Sequence, residues 1–139
     1  MEKQDSIALS LQLNSVDTAA MTITTGRIEL LSRLLDVAAM RQDVIAQNVA
    51  NVNTPGFQTL DVSFEQALQE RLMTDPSAAA LEIQPEIVAG TGGIERADGN
   101  NVDIDLEMGR LQKNGMLFRI YAQIIANELA QHRSAITGR

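Results

Sequence analysis

The chain contains no cysteine and no tryptophan, and only four aromatic side chains in 139 residues: Phe57, Phe64, Phe118 and Tyr121. Without cysteine there is no disulfide framework and no thiolate metal site, and the redox compartment stays unread. A core that must be assembled from Leu, Ile, Val, Ala and Met suits helices better than a sandwich or barrel, which lean on β-branched and aromatic residues. Basic residues are outnumbered, eleven against eighteen acids, for a net charge of −7. That balance argues against nucleic acid as a partner, because phosphate recognition needs a basic patch. Long apolar runs are missing as well. The longest uncharged stretch, Val44 to Leu60, holds three asparagines, a proline and a glycine, which excludes a membrane span. The opening Met-Glu-Lys-Gln-Asp lacks the cationic start of a secretory signal, so departure from the cytoplasm would require a route other than a cleaved Sec signal. The length permits one domain with a modest core.

Four zones follow along the chain. Residues 1–27, rich in Ser, Thr, Ala and Gln without a sustained period, read as a flexible N-terminal extension or a short surface helix. Residues 28–53 carry a heptad: Leu31, Ala38, Ile45 and Val52 stand seven apart, with Leu35 and Val49 four residues after the first and third. This spacing predicts a helix of about 25 residues, roughly 37 Å long, whose apolar stripe is interrupted by Arg41 and Asn48. It must stop near Asn53, because Pro55 cannot donate to a helix and disfavours helical geometry at Thr54. Residues 54–101 read as an acidic connector. Within it, Val62 to Leu72 is expected as a short helix, Leu81 to Ala89 as a brief strand interrupted by Pro85, and Gly90 to Gly93 and Asp98 to Asn101 as turns. Residues 102–139 form the second long helix with a short tail. Ile104, Leu111, Phe118 and Ile125 repeat every seven residues, with Met108 and Leu129 beside them, and Asp103 or Asn101 is placed to cap its start. Gly109 and Gly115 each cost that helix about 1 kcal/mol, so it is marginal alone. The expected fold is mainly α: two long terminal helices pairing as an antiparallel coiled-coil hairpin, joined by an irregular connector with short helix and strand pieces.

Candidates for catalysis fall away in turn. The only histidine, His132, sits near the end of the second helix, where a dipole or surface role is expected, and no Gly-x-Ser-x-Gly elbow exists. Asp98, Asp103, Asp105 and Glu107 cluster, but an EF-hand counted from Asp98 would place Asp103 where glycine is needed and Gly109 where glutamate is needed. Gly90-Thr91-Gly92-Gly93 lacks the Gly-Lys-Ser/Thr of a phosphate loop. No catalytic residue, cofactor site or metal site is expected, and the chain does not read as an enzyme.

The informative stretch is the corner Asn48-Val-Ala-Asn51-Val-Asn53-Thr54-Pro55-Gly56-Phe57. Proline at the second place and glycine at the third of Thr54–Phe57 fit a type II turn. Asn48 and Asn51 lie on one helix face, where their amides can satisfy terminal carbonyls. This stretch, preceded by Arg41-Gln-Asp-Val-Ile-Ala-Gln, resembles the N-terminal signature of bacterial flagellar rod, hook and hook-associated axial proteins. Asp98-Gly-Asn-Asn-Val-Asp-Ile-Asp-Leu-Glu-Met108 is similar to the segment that opens the C-terminal helix of the short proximal-rod members. The resemblance covers residues 28–129. It departs at residues 1–24, which extend beyond the usual start, and at Phe57, where the family often has Tyr. Phe118-Arg-Ile-Tyr121-Ala-Gln is closer to the proximal-rod members than to FlgC or hook-type proteins.

The resemblance implies a structural subunit of the proximal rod of the flagellar basal body, polymerising through its terminal helices into a drive shaft and export channel. It implies self-association, neighbours of the FlgC, FlgF and FlgG types, the adaptor FliE and the membrane ring. It further implies a periplasmic location reached through the flagellar type III export gate without a cleaved signal. Leu31, Leu35, Ala38, Ile45 and Val49 would form the assembly stripe of the first helix, and Ile104, Met108, Leu111, Phe118, Ile125 and Leu129 that of the second. Phe64-Glu-Gln-Ala-Leu68 matches a Phe-x-x-x-hydrophobic element that engages the gate in some early export substrates, although Phe and Leu four apart also describe an ordinary helix face. The alternatives are another short, FlgC-like rod protein or a helical export adaptor or chaperone. Charge divides unevenly among the zones: −1 over 1–27, −1 over 28–53, −6 over 54–101 and +1 over 102–139.

Overall fold

The structure, a computed structural model, describes residues 2–74 and 83–138, with side chains from residue 26 onward. Helix α1 (Glu2–Ala50) is followed by strand β1 (Leu60–Ser63), helix α2 (Glu65–Thr74), strand β2 (Glu86–Ala89) and helix α3 (Ile104–Thr137). The long terminal helices pack together, and the strands form a small two-stranded sheet between them in sequence.

Helix α1 starts far earlier than the heptad announces. The flexible extension expected over 1–27 is instead helical from Glu2 and runs without a break into the heptad region. Once a helix is nucleated, extending it through residues of middling propensity costs little, and no proline precedes Pro55. Helix α3 starts close to its expected place. Asp103, in extended geometry, accepts from the Asp105 and Leu106 amides, and Gly138 in the left-handed region closes the far end on the Ser134 carbonyl.

The connector departs from expectation at its start. The segment read as one helix over Val62–Leu72 divides into β1 and α2. Leu60, Val62 and Phe64 alternate, so the extended backbone turns all three to one side, against α1. Strand β1 pairs antiparallel with β2, from Leu60 opposite Ala89 to Ser63 opposite Glu86. The strand expected from Leu81 begins only at Glu86, directly after Pro85; its first two expected residues lie outside those described.

The hydrophobic core lies between α1, the sheet and α2. Val37 and Val44, two turns apart on α1, meet Val62, Phe64 and Leu68, with Leu30, Leu34, Met40, Leu60 and Ile83 around them. Helix α3 lies on an adjacent face of α1. The hydrogen bond between Asn48 and Glu107, that from Asn114 to the Ala38 carbonyl, and the ion pair between Arg27 and Glu128 show the helices antiparallel.

The face that α3 turns to α1 is the unexpected feature. Glu107, Asn114 and Glu128 are buried and Tyr121 is half-buried, four residues spaced by seven. The apolar heptad lies about 40–60° around the helix from this line, since three or four residues fall that far short of or beyond a full turn. Ile104, Met108, Phe118 and Leu129 are exposed, and Leu111 and Ile125 half-buried. On α1, Ala38 and Ile45 are buried, and Leu31, Leu35 and Val49 half-buried.

Candidate functional site

Two features stand out: a corner of asparagines where the chain leaves α1 and enters α3, and the apolar outer face of α3. The corner begins with Asn51, whose side chain donates to the Gln47 carbonyl (2.8 Å) and accepts from the Thr54 hydroxyl (3.1 Å). The Gln47 carbonyl, which also accepts from the Asn51 backbone amide (3.1 Å), thereby receives a second hydrogen bond at the helix end. The Phe57 amide donates to the Thr54 carbonyl, and Gly56 has φ +72°, the turn geometry that Pro-Gly favours. Asn53, Thr54 and Pro55 are exposed, and Phe57 is half-buried.

Asn48 does something different from capping. Fully buried, it donates to the Leu60 carbonyl (2.9 Å) and accepts from the Leu60 amide (3.0 Å), serving β1 as a neighbouring strand would. The same amide nitrogen donates to the Glu107 carboxylate (3.0 Å). One side chain thus joins α1, β1 and α3. Arg110 supplies the second partner of Glu107 at 2.6 Å and also donates to the Thr91 carbonyl.

The opposite wall comes from the Asp98–Met108 stretch. Asn100, also fully buried, donates to the carbonyls of Asn51 (2.9 Å) and Thr54 (2.8 Å) and accepts from the Val102 amide (2.8 Å). Asn101 accepts from both the amide (2.7 Å) and the hydroxyl (2.9 Å) of Thr59. Arg96 reaches the Val52 carbonyl, and the Gly56 amide reaches the Asp98 carbonyl. The two stretches that carry the family resemblance are therefore two halves of one hydrogen-bonded object.

Beside the corner, a cleft of about 500 Å³ opens between α1, β1 and α3, lined in part by Arg41, Glu65, Glu107, Lys113, Asn114 and Tyr121. Arg41 donates to Glu65 (2.8 Å) and to the Val62 carbonyl (3.1 Å). The Glu65 bond raises the Arg41 pKa against the lowering effect of burial. Burial likewise works against ionisation of Glu65, but the Arg41 hydrogen bond, a backbone hydrogen bond and the nearby positive charge together hold its carboxyl below the usual range. Among the described residues the cleft brings together no nucleophile and general base; His132 lies far along α3.

The residues expected to matter divide accordingly between these places. Asn48 and Asn51 to Phe57 belong to the corner; Phe64 and Leu68 are core residues, Phe64 with no exposed surface. Thr59, Asn100 and Asn114 were not singled out as site residues; Asn101 was expected only as a possible cap of α3, and Glu107 only within an acidic cluster. Their signal was present only as the paired asparagines of a turn and as a polar heptad, Glu107, Asn114, Tyr121 and Glu128, beside the apolar one.

A family model described as flagella basal body rod protein matches residues 35–58, the end of α1 and the corner. The flagellar basal body rod protein FlgB of Borrelia hermsii is 33% identical over 125 residues, covering 77% of this chain and 93% of its own length. The chain belongs to the FlgB family of flagellar basal body rod proteins. FlgB of Bacillus subtilis is 28% identical over 127 residues, covering 85% of this chain and 98% of that protein. FlgB of Salmonella typhimurium is 22% identical over 121 residues, covering 75% and 88%. No described helix is long and apolar enough to cross a membrane.

Proposed function

We propose that this chain is a structural subunit of the rod of the flagellar basal body, held in the polymer by the outer face of α3 together with the exposed edge of α1. The observation that carries this reading is the inverted polarity of α3, which buries a polar line inside the subunit and leaves Ile104, Met108, Phe118 and Leu129 exposed. A monomer gains nothing from such a face in water, whereas neighbouring subunits covering it gain about 25 cal/mol per Å² of apolar surface. FlgB-family membership supports the same role, and a rod component is a building element rather than an enzyme.

In finer terms, we assign the subunit to the proximal rod, beside FliE and the membrane ring and followed by FlgC-, FlgF- and FlgG-type proteins, in the periplasm. Passage through the flagellar type III gate without a cleaved signal belongs to the same proposal. Phe64 and Leu68 are its candidate gate element. Because both are core residues, a gate would meet them only in the unfolded chain.

Deleting the gene and restoring it on a plasmid tests the role. The deletion is expected to abolish rod, hook and external filament together, with full recovery on complementation. A deletion strain that still builds filaments would overturn it. Loss of one secreted protein alone would identify the adaptor or chaperone alternative instead. Restoration by an Asn48→Ala, Pro55→Ala chain to normal motility would remove the corner from the account.

A further inference from the structure

Helix α3 presents two heptad lines side by side. Burial of apolar surface alone would turn Ile104, Leu111, Phe118 and Ile125 toward α1, since a helix ordinarily packs through its apolar stripe. The helix instead buries Glu107, Asn114 and Glu128, and burying polar groups is costly unless they are partnered. Something specific must therefore hold the helix in this rotation.

We infer that Glu107, Asn114 and Glu128 are positioning residues that fix the roll of α3 about its own axis and so keep its apolar line turned outward. Each has its own anchor on α1. Glu107 accepts from Asn48 at 3.0 Å, Asn114 donates to the Ala38 carbonyl at 2.7 Å, and Glu128 pairs with Arg27 at 2.5 Å. The anchors stand on one line of α3, two and then four turns apart, so a roll of about 40–60° breaks all three together while requiring no translation along α1. Such a roll would turn the apolar line inward and remove it from the surface.

The anchoring is not a stability device. Asn114 keeps a buried side-chain oxygen without a hydrogen-bond partner, which costs stability. Glu107 and Glu128 bring carboxylates into a helix contact where leucine would pack. Polar groups in a helix seam that lower stability while selecting one arrangement have precedent in coiled coils. The site is that of the rod reading, but the inference concerns the orientation of a helix within one subunit and holds or fails independently of assembly.

The test uses the full-length chain in dilute solution, where the absence of native cysteine makes a single introduced thiol a clean reporter. Leu129→Cys reports on the apolar line, and Leu117→Cys on the opposite flank of the polar line. Maleimide labelling rates are compared with the anchors intact and in a Glu107→Leu, Asn114→Leu, Glu128→Leu background. The leucines are expected to slow labelling at position 129 about tenfold and to accelerate it at 117, opposite changes that a roll produces. Both rates rising, as unfolding would cause, or neither moving would overturn the inference. A charge exchange gives a second, milder reading. Arg27→Glu is expected to slow labelling at 129, and adding Glu128→Arg to restore it; equal rates across that pair would also overturn the inference. Rod loss in the deletion strain does not bear on either result.

Discussion

Asn48 is the residue on which most of the corner depends. Replacing it with alanine strands the Leu60 amide and carbonyl and removes one partner of Glu107, all in a buried place. The expected loss is about 2–4 kcal/mol, read as a fall of several degrees in the thermal midpoint. Asn48→Asp, although nearly isosteric, is expected to be worse than alanine. A carboxylate there can still accept from the Leu60 amide, but its other oxygen faces the Leu60 carbonyl and the Glu107 carboxylate. If the aspartate variant melts above the alanine variant, the amide is not acting as a donor. At Glu65 the prediction concerns pH. Its carboxyl is held below the ordinary value of 4.5, so it binds fewer protons in the folded chain than in the unfolded one near that pH. Its contribution is complete above about pH 4.5 and is lost as pH falls through the lower, folded value. With the Glu65 side chain 54% exposed, solvent screening keeps the effect below about 1 kcal/mol. Urea midpoints measured from pH 6 to 3 should therefore fall slightly less steeply in Glu65→Gln than in the natural chain.

Helix α3 shows where a sequence pattern stops being informative. The seven-residue repeat correctly marks a long helix, and the mainly helical fold with paired terminal helices was legible from it. Which side faces α1 was not, because a heptad records which residues are apolar and not what covers them. The polar line was readable only as spacing, and nothing in residue type said that Asn114 would reach the Ala38 carbonyl. In the same way, the corner asparagines drew notice, but Asn100, which donates to the Asn51 carbonyl, lies 49 residues away in sequence, and Asn101 serves Thr59 from 42 residues away. Val62 and Ser63, in β1, fell within the expected helix because a two-residue alternation over so short a span is easily absorbed into a neighbouring helical pattern. A further expectation belongs to this scale. Gly109 and Gly115 sit inside α3, and a β-carbon at either would meet nothing within 4 Å. Alanine at each is expected to stabilise the chain by about 1 kcal/mol, seen as a higher urea midpoint with unchanged slope. A loss of stability at either position would show that the helix is more crowded there than described.

At the scale of the whole molecule, the acidic connector, the asparagine corner and the two long helices divide the work. The connector carries −6 of the −7 net charge, while the zones forming the paired helices are near neutrality. Near-neutral helices can crowd beside copies of themselves without strong mutual repulsion. The shortage of aromatic residues fits the same picture, since the private core is confined to α1, the small sheet and α2. Much of the exposed apolar surface lies on the outside of α3, the face proposed to meet a neighbour. The decisive measurement is the labelling rate of Leu129→Cys in the dilute subunit and in purified basal bodies built from it. The account predicts ready labelling in the subunit and protection of about tenfold or more in the assembled rod, as burial at a packed interface requires. Equal labelling in the two states would contradict it.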